Sequence, residues 1–403
     1  MDTSTLIKTL QDPMGDPFFP VVFQVLMVLT FSLHILLVNA TVGAAALAVY
    51  GRLRSEERWR RLAAAMSKAV TMSVSALIVL GVAPLLFVQV IYDPFWYSSN
   101  NLSAAWVIGF IFVMMGAFGV SYAAHDRGEK PGAAALAGLA LALFLLAGVL
   151  MHAFGYQALQ PEKWLGWYAK GGVVDASGTV LHSFSLPRFL HFIVPAFAVG
   201  GVFLMLYAWY LEPRADSDRD YLAWTARLGA SLAFWATAAE CAGGFWWLAS
   251  LPPELRFARN PVFLLGAALG AALLALFARV NFSKRRPQES ALACALLTVA
   301  TTLAMSASRE ALRMGYVGRF GYSVYDQKVS LDWGSTALFL GTFAMGLSIL
   351  AYVLATAFQA GRSTGRYEAA PRMQAWGRVS IGLLISWIVV VAGLGVAITL
   401  RNR

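Results

Sequence analysis

Ten apolar runs, each about as long as a bilayer-crossing helix, divide this chain. A transmembrane helix needs roughly 20 consecutive, mostly apolar residues, because the hydrocarbon core of a bilayer is about 30 Å thick. The runs lie near 21–50, 69–92, 103–124, 132–153, 188–210, 223–250, 261–281, 289–307, 335–359 and 377–400. The pattern predicts an all-α integral membrane protein with about ten transmembrane helices.

The composition agrees with this pattern. Of the 403 residues, 59% are hydrophobic and 13% are charged, whereas a soluble domain carries about 25% charged residues. The two cysteines, Cys241 and Cys294, lie in different apolar runs, so there is no CxxCH haem attachment motif, zinc pattern or disulfide framework. The residues before the first run carry acids, which is the wrong charge for a signal peptide, and we expect none.

Basic residues concentrate in alternate loops, and this predicts the orientation of the chain. Lysine and arginine are enriched on the cytoplasmic side of membrane proteins. The basic loops are 51–68, 125–131, 211–222, 280–288 and 360–378. We therefore expect these loops in the cytoplasm and both termini outside. Orientation also explains the net charge of +10 better than nucleic-acid binding does. Two long outer loops, 154–187 and 308–334, are rich in Trp, Tyr and Gly.

Two of the runs share a local pattern that begins with a histidine. His34 is followed by Val42, Gly43, Leu47 and Tyr50, and His191 is followed at the same offsets by Val199, Gly200, Leu204 and Tyr207. An ionisable residue inside a membrane helix is a functional-site candidate, and neutral imidazole is a common axial ligand of haem iron. The small residues after each histidine would leave room for a flat macrocycle. Alternatively, each histidine only hydrogen-bonds a neighbouring helix, and the small residues serve helix packing.

Further ionisable residues are predicted in the same, outer half of the membrane. They are His152, His182, Glu240, Glu310 and Arg313, whereas His125 lies in a cytoplasmic loop. His152 or His182 would serve as a second axial ligand or a proton acceptor, or is a plain interfacial histidine. Glu240 would carry a proton, bind a quinol hydroxyl or pair with a buried arginine, or is a polar helix-packing residue.

Glu310 and Arg313 form an E-x-x-R motif, whose two side chains lie one helical turn apart and face the same way. The carboxylate of Glu310 is a candidate ligand of a high-spin haem iron, and Arg313 a candidate partner of a haem propionate. Arg309 would suit the propionate equally well. The alternative is a salt bridge at the end of a helix.

These motifs together resemble subunit I of the cytochrome bd-type quinol oxidases. The run RFLHFIVPAFAVGGVFLMLYAWYL is similar to the haem-b helix of that family, and the His34 run resembles its first ligand helix. YDPFWYSSN, GYQALQP and Glu310-x-x-Arg313 resemble further stretches over roughly residues 18–315. In the family the glutamate of this last motif is a haem ligand. The resemblance implies two four-helix bundles plus two further helices, in a multi-pass protein of the bacterial inner (cytoplasmic) membrane.

The chain also departs from the family. Its third helix, SAAWVIGFIFVMMGAFG, lacks the paired glutamates of the oxygen-reducing site, and the seventh, NPVFLLGAALGAALLALF, lacks the methionine that partners the low-spin haem. The long quinol loop after the sixth helix is reduced to LPPELRFARNP. The ligand scaffold is therefore retained, while the oxygen-reduction residues and the usual quinol loop are not.

The resulting hypothesis is a subunit that binds haem b, with one to three haems, in a respiratory electron-transfer complex. It would be an oxidoreductase component that passes electrons between membrane quinol and an outer partner, a c-type cytochrome or iron–sulfur subunit. His34, His191 and Glu310 would bind iron, and other membrane subunits would complete the complex. The alternatives are a divergent terminal oxidase and a haem-free transporter or anchor. The expected segments are 1–153 and 188–307 for the bundles, 154–187 and 308–334 for the outer loops, and 335–403 for the last two helices.

Overall fold

The computed structural model describes residues 2–401, and this part of the chain is helical with no β-strand. The helices are α1 (Thr3–Leu10), α2 (Pro20–Arg52), α3 (Glu57–Ile91), α4 (Asp93–Leu102), α5 (Ala104–Asp126), α6 (Ala133–Gln157), α7 (Trp164–Tyr168), α8 (Leu186–Ile193), α9 (Pro195–Leu211), α10 (Arg219–Ala249), α11 (Pro261–Phe282), α12 (Ala291–Gly318), α13 (Trp333–Arg362) and α14 (Pro371–Arg401).

Within residues 2–401, nine helical segments are long and apolar enough to cross a membrane. This confirms the prediction of an all-α, multi-pass membrane protein. Helices α8 and α9 together make one of the nine segments, Leu186–Leu211. The predicted run 223–250 is also a long helix, α10, but it is not among the nine, and it carries Asp220, Arg227 and Glu240.

The predicted continuous helix over 188–210 is interrupted. Helix α8 ends at Ile193, and α9 begins at Pro195. Proline has no backbone N–H, and its ring clashes with the carbonyl four residues earlier, which here belongs to His191. The break therefore falls one turn after His191. In a continuous helix the carbonyl of His191 would accept a hydrogen bond from the backbone N–H that Pro195 lacks.

Two stretches outside the predicted apolar runs contain helices. The DPFWYSSNNLS stretch forms α4, whose second residue, Pro94, stands where a helix loses nothing from a missing N–H. Helix α12 continues to Gly318, so the predicted outer loop 308–334 begins as helix. Buried Trp164 of α7 donates its indole N–H to the carbonyl of Gln157 over 3.0 Å, which ties the 158–185 segment to α6. We call the end of the bundle that carries α1, α4 and α7 the cap face.

The repeated glycines lie at a helix crossing. A Cβ atom added to Gly43 would lie 3.0 Å from Cα of Gly200, and it would overlap the carbonyl oxygen of Ala196. A Cβ atom added to Gly200 would lie 3.3 Å from Cα of Gly43. Close backbone approach is the usual role of small residues between membrane helices. The expectation that these glycines leave room for a macrocycle is therefore wrong; they allow α2 and α9 to touch.

The chain divides into two compact units. One contains the residues up to Trp209 and Asp220–Val329, and the other contains Tyr210–Arg219 and the residues from Ser330 onward. The first unit holds the helical segments that the sequence predicted as bundles, except for Tyr210–Arg219, together with every candidate site residue. In the second, α13 and α14 are joined by a hydrogen bond of 3.0 Å from Trp387 to Thr342.

Candidate cofactor site

A largely apolar cavity of about 710 Å³ lies in the first unit, between α2, α3, α5, α6 and α8 and next to α12. Its volume lies within the roughly 300–1,000 Å³ that is typical of small-molecule and cofactor pockets. Aliphatic and aromatic side chains make up most of its wall. The ionisable side chains in the wall are those of His34, Tyr92, His152, Arg188, Arg309 and Arg313.

His34 has one ring nitrogen bonded to a neighbouring helix. Its Nδ1 atom lies 3.1 Å from the carbonyl oxygen of Leu77 on α3. A carbonyl can only accept, so Nδ1 carries the proton and Nε2 keeps its lone pair. A Cβ atom on Gly81 would lie 2.9 Å from Cε1 of His34, so this glycine makes space for the ring. Metal-binding histidines typically have this arrangement, with the second nitrogen donating to a carbonyl or carboxylate.

His152 is arranged differently, although it lines the same cavity. The backbone N–H of Ser185 donates to Nε2 of His152 over 3.2 Å. The ring also packs against the rings of Tyr156, Phe184 and Phe189. The nitrogen that most often binds iron is thus already an acceptor. His152 connects the end of α6 to the start of α8.

The arginines of the wall are not all paired with carboxylates. Nη1 of Arg313 donates to Glu310 over 3.0 Å. The guanidinium of Arg309 stands 4.2 Å from the centroid of the Phe31 ring, and within residues 2–401 it forms no ion pair. Nη1 of Arg188 is buried and has no hydrogen-bond partner in the same part of the chain. Burying an unpaired charge is costly, so Arg188 and Arg309 favour an anionic group at this end of the cavity.

Glu310 lies behind the cavity wall rather than in it. It is 5% exposed, and both of its carboxylate oxygens accept hydrogen bonds. The Tyr92 hydroxyl and the Gln24 amide donate to Oε1 over 2.5 and 3.0 Å, while Arg313 donates to Oε2. The one-turn spacing of the E-x-x-R motif thus produces the salt bridge that was the alternative to a role of Glu310 as an iron ligand. In this arrangement Glu310 orients two side chains of the wall, Tyr92 and Arg313.

His191 belongs to a second site, separate from the cavity wall. Its Nδ1 atom contacts Oε1 of Glu240 on α10. Its ring lies parallel to the indole of Trp247, with 4.7 Å between the centroids, and Cε1 faces Gly244. The second oxygen of Glu240 is buried without a hydrogen-bond partner in the described residues. A carboxylate bonded to one imidazole nitrogen orients the other nitrogen for metal binding.

His182 lies in the 158–185 segment of the cap face. Its ring stacks on Trp167 with 5.1 Å between centroids, and its Nε2 atom lies 3.2 Å from the carbonyl oxygen of Leu102. Its own backbone N–H donates to the side chain of Gln157. These contacts attach the 158–185 segment to α4 and α6. Of the two histidines predicted as a second axial ligand, His152 thus belongs to the cavity wall and His182 to the cap face.

Sequence reasoning did not single out Arg188, Tyr92 or Gln24. Arg188 had a usable signal, because a cation at the start of an apolar helix is unusual unless it meets an anion or the membrane surface. Tyr92 and Gln24 carried no such signal. They reach Glu310 from positions far away in sequence, so only the packing of α2 and of the junction between α3 and α4 against α12 shows their role.

No group of three or more His, Cys, Asp or Glu side chains in residues 2–401 is arranged to hold a metal ion. A haem iron makes a smaller demand, because the macrocycle surrounds it and the protein adds only one or two axial ligands. The imidazole of His34 in a pocket of this size fits such a group, with arginines available for its carboxylates.

Comparisons of the chain with protein-family models, with curated proteins and with solved structures find no match.

Proposed function

We propose that this chain is a haem b-binding membrane subunit of a respiratory electron-transfer complex, related to subunit I of the cytochrome bd-type quinol oxidases. One observation carries the proposal. The 710 Å³ cavity combines an imidazole whose Nε2 is free with two arginines, Arg188 and Arg309, that lack an anionic partner. A haem has a flat apolar body, an iron that binds imidazole and two carboxylates, so it matches each of these features.

In this proposal His34 would hold the haem iron through Nε2, and the carbonyl of Leu77 fixes the tautomer that leaves this nitrogen free. Arg188 and Arg309 would bind the propionates, for which the planar guanidinium is suited. Glu310 holds Arg313 and Tyr92 in place at the edge of the cavity, as an acid beside the haem. The haem supplies one-electron redox chemistry when bound.

His191 and Glu240 would form the second haem site. The carboxylate of Glu240 contacts Nδ1 of His191, and this contact would make Nε2 a stronger ligand. Its second oxygen, which has no partner within residues 2–401, is available to accept a proton from a quinol hydroxyl. We place quinol oxidation near this pair because Glu240 is the acid of α10 that lies within the apolar part of the helix.

The basic loops support an orientation with the cap face outside. Arg54 lies in the turn between α2 and α3, and Arg58, Arg60 and Arg61 lie in the first turns of α3, at the end of the bundle opposite the cap face. By the positive-inside rule that end faces the cytoplasm. Electrons would then leave through the cap face to a c-type cytochrome or an iron–sulfur subunit.

The proposal is tested by a dithionite-reduced minus oxidised spectrum of the purified protein, together with a pyridine haemochrome assay. We expect the α-band of a b haem at one or more equivalents per chain. A folded preparation with a flat spectrum would contradict the proposal and would favour a haem-free transporter or anchor.

One observation favours a terminal oxidase as the second candidate. Nε2 of His152 is occupied by the Ser185 N–H, so His34 is the cavity histidine whose Nε2 is free. A haem bound only by His34 would keep one iron position open for oxygen. Carbon monoxide would shift the spectrum of such a haem, whereas a haem with two protein ligands would not respond.

A further inference from the structure

The N-terminal segment, residues 2–19, is attached to the cap face by a few hydrogen bonds. Ser4 donates its hydroxyl to the carbonyl of Phe320 over 2.7 Å. The backbone N–H of Asp12 donates to Oδ2 of Asp93, the first residue of α4, over 2.6 Å. The backbone N–H of Asp16 donates to the carbonyl of Lys328 over 2.8 Å. Asp12 and Asp16 thus link the segment to two different elements.

Two of the acids in this attachment are buried, and the charge of one acts on the other. Asp16 is 2% exposed and Asp93 is 7% exposed. Each has one carboxylate oxygen, Oδ2 of Asp16 and Oδ1 of Asp93, that is buried and has no hydrogen-bond partner within residues 2–401. Neither acid forms an ion pair in that part of the chain. Two carboxylates in one buried place cannot both be ionised cheaply, because like charges repel and burial penalises each charge.

The groups around the pair do not neutralise it. Asp12 is exposed on the same segment, and Lys328 is exposed and offers only its backbone carbonyl. Gln327 donates its amide to the Tyr322 hydroxyl over 2.5 Å and also hydrogen-bonds Asp93. The Tyr322 hydroxyl in turn donates to the carbonyl of Ile91. Tyr322 and Gln327 are therefore neutral neighbours.

We propose that Asp16 and Asp93 form a proton-binding site on the cap face, and that loss of its proton releases the N-terminal segment from α4 and from residues 322–329. The site binds a proton through its two carboxyl groups. The site does not depend on haem, so it stands or falls separately from the proposed function.

The direction of the pH dependence follows from the surroundings of the pair. Burial and the nearby carboxylates of Asp93 and Asp12 raise the pKa of Asp16 to about 7. Burial raises the pKa of Asp93 to about 6, although hydrogen bonds from Asp12 and Gln327 oppose the rise. Both values lie above the ~3.9 of an unfolded aspartate. The attached state therefore binds protons more tightly, so attachment is strongest below about pH 4 and weakens as the pH rises to about 7.

Hydrogen–deuterium exchange of the full chain in detergent tests this site directly. The peptide that covers residues 11–19 reports on the amides of Asp12 and Asp16. After correction for intrinsic exchange rates, we expect its protection to be at least about tenfold weaker at pH 8 than at pH 5, since one unit of pKa shift corresponds to a tenfold change in an equilibrium.

Neutral isosteres provide the matched variants. Asp16→Asn and Asp93→Asn should each weaken the pH dependence, and the double variant should keep the segment protected at both pH values, because an amide resembles the protonated acid. Asp326→Asn, at an exposed acid of the facing segment, should retain the pH dependence of the wild type. Gly15→Ala should open the segment at all pH values, because Gly15 has φ +76° and its Cβ would overlap the carbonyl of Lys328.

Three results would overturn the proposal. The wild type could show equal protection at pH 5 and pH 8. Both asparagine variants could keep the full pH dependence. Finally, 1 mM calcium could restore protection of the wild type at pH 8, which would show that the acids bind a cation rather than a proton.

Discussion

The carbonyl oxygen of Leu77 lies 3.1 Å from Nδ1 of His34, so a backbone group of α3 determines which nitrogen of an α2 histidine is free. This contact assigns a tautomer from geometry alone, because the carbonyl can only accept. It also shows why α2 and α3 must keep their register: moving either helix by one residue would separate the two atoms and leave the ring without orientation.

Gly81→Ala tests this contact. The added Cβ would lie 2.9 Å from Cε1 and 3.2 Å from Nδ1 of His34, so the ring must move away from Leu77. We expect haem affinity at the His34 site to fall about 10–100-fold, as it does when an outer partner of a metal ligand is lost. Haem titration of the apoprotein measures this. Gly109→Ala on α5, where a Cβ meets open space, is the control, and equal affinities of the two variants would contradict the assignment.

Glu240→Gln tests the second site. The amide keeps the shape of the side chain but is a weaker acceptor, so the basicity of His191 falls. We expect the midpoint potential of one haem to rise, because a less basic ligand stabilises the oxidised iron less, while the other haem keeps its potential. A redox titration followed in the α-band measures both. Glu254→Gln, at an exposed position after α10, should change neither potential. If neither midpoint potential changes in Glu240→Gln, the second haem does not bind at His191.

Arg188→Gln and Arg309→Gln should raise the thermal stability of the protein without haem and lower that of the protein with haem. Removing a buried charge that lacks an anion relieves a desolvation cost, so the apoprotein should unfold at a higher temperature. The loaded protein should lose a charged hydrogen bond, worth about 1.5–3 kcal/mol. Thermal unfolding with and without haem measures both effects. Arg319→Gln, at an exposed arginine, should move neither. A fall in stability of the apoprotein would mean that these arginines have a structural role.

Gly43→Ala tests the helix crossing beneath the two sites. The added Cβ would meet Cα of Gly200 at 3.0 Å and the carbonyl of Ala196, so α2 and α9 must separate. We expect a loss of about 1–3 kcal/mol, the usual cost of overpacking. Gly138→Ala on α6, where nothing lies within 4 Å, should instead gain up to ~1 kcal/mol from helix propensity. Thermal unfolding in detergent compares them, and equal effects would show that the crossing is not tight.

The long helices could be predicted from the sequence because membrane hydropathy is a strong local signal. The breaks were harder. Pro195 was visible, yet a proline in a membrane helix is often tolerated, so the sequence did not distinguish one bent helix from α8 and α9. The DPFWYSSNNLS stretch is too short and polar for the hydropathy signal, although Asp93 and Pro94 mark the start of a helix.

The candidate sites were predictable only in part. The histidines and acids stood out because ionisable groups are rare in apolar runs, and the pairing of Glu310 with Arg313 followed from their spacing. The sequence did not show that the candidate residues belong to two separate sites. This depends on tertiary contacts, because His191 contacts Glu240 while His34 contacts Leu77. The pairing of Asp16 with Asp93 joins residues far apart in the chain, and neither has an unusual local sequence.

The most direct test of the account is the haem-to-protein ratio of the purified chain and of three variants, His34→Ala, His191→Ala and His125→Ala. The account gives a definite pattern: each of the first two variants loses about one haem equivalent relative to the wild type, and His125→Ala, at the opposite end of the bundle, loses none. If His34→Ala and His191→Ala retain the full haem content of the wild type, or if the wild type binds no haem, the histidines are structural and the account is wrong.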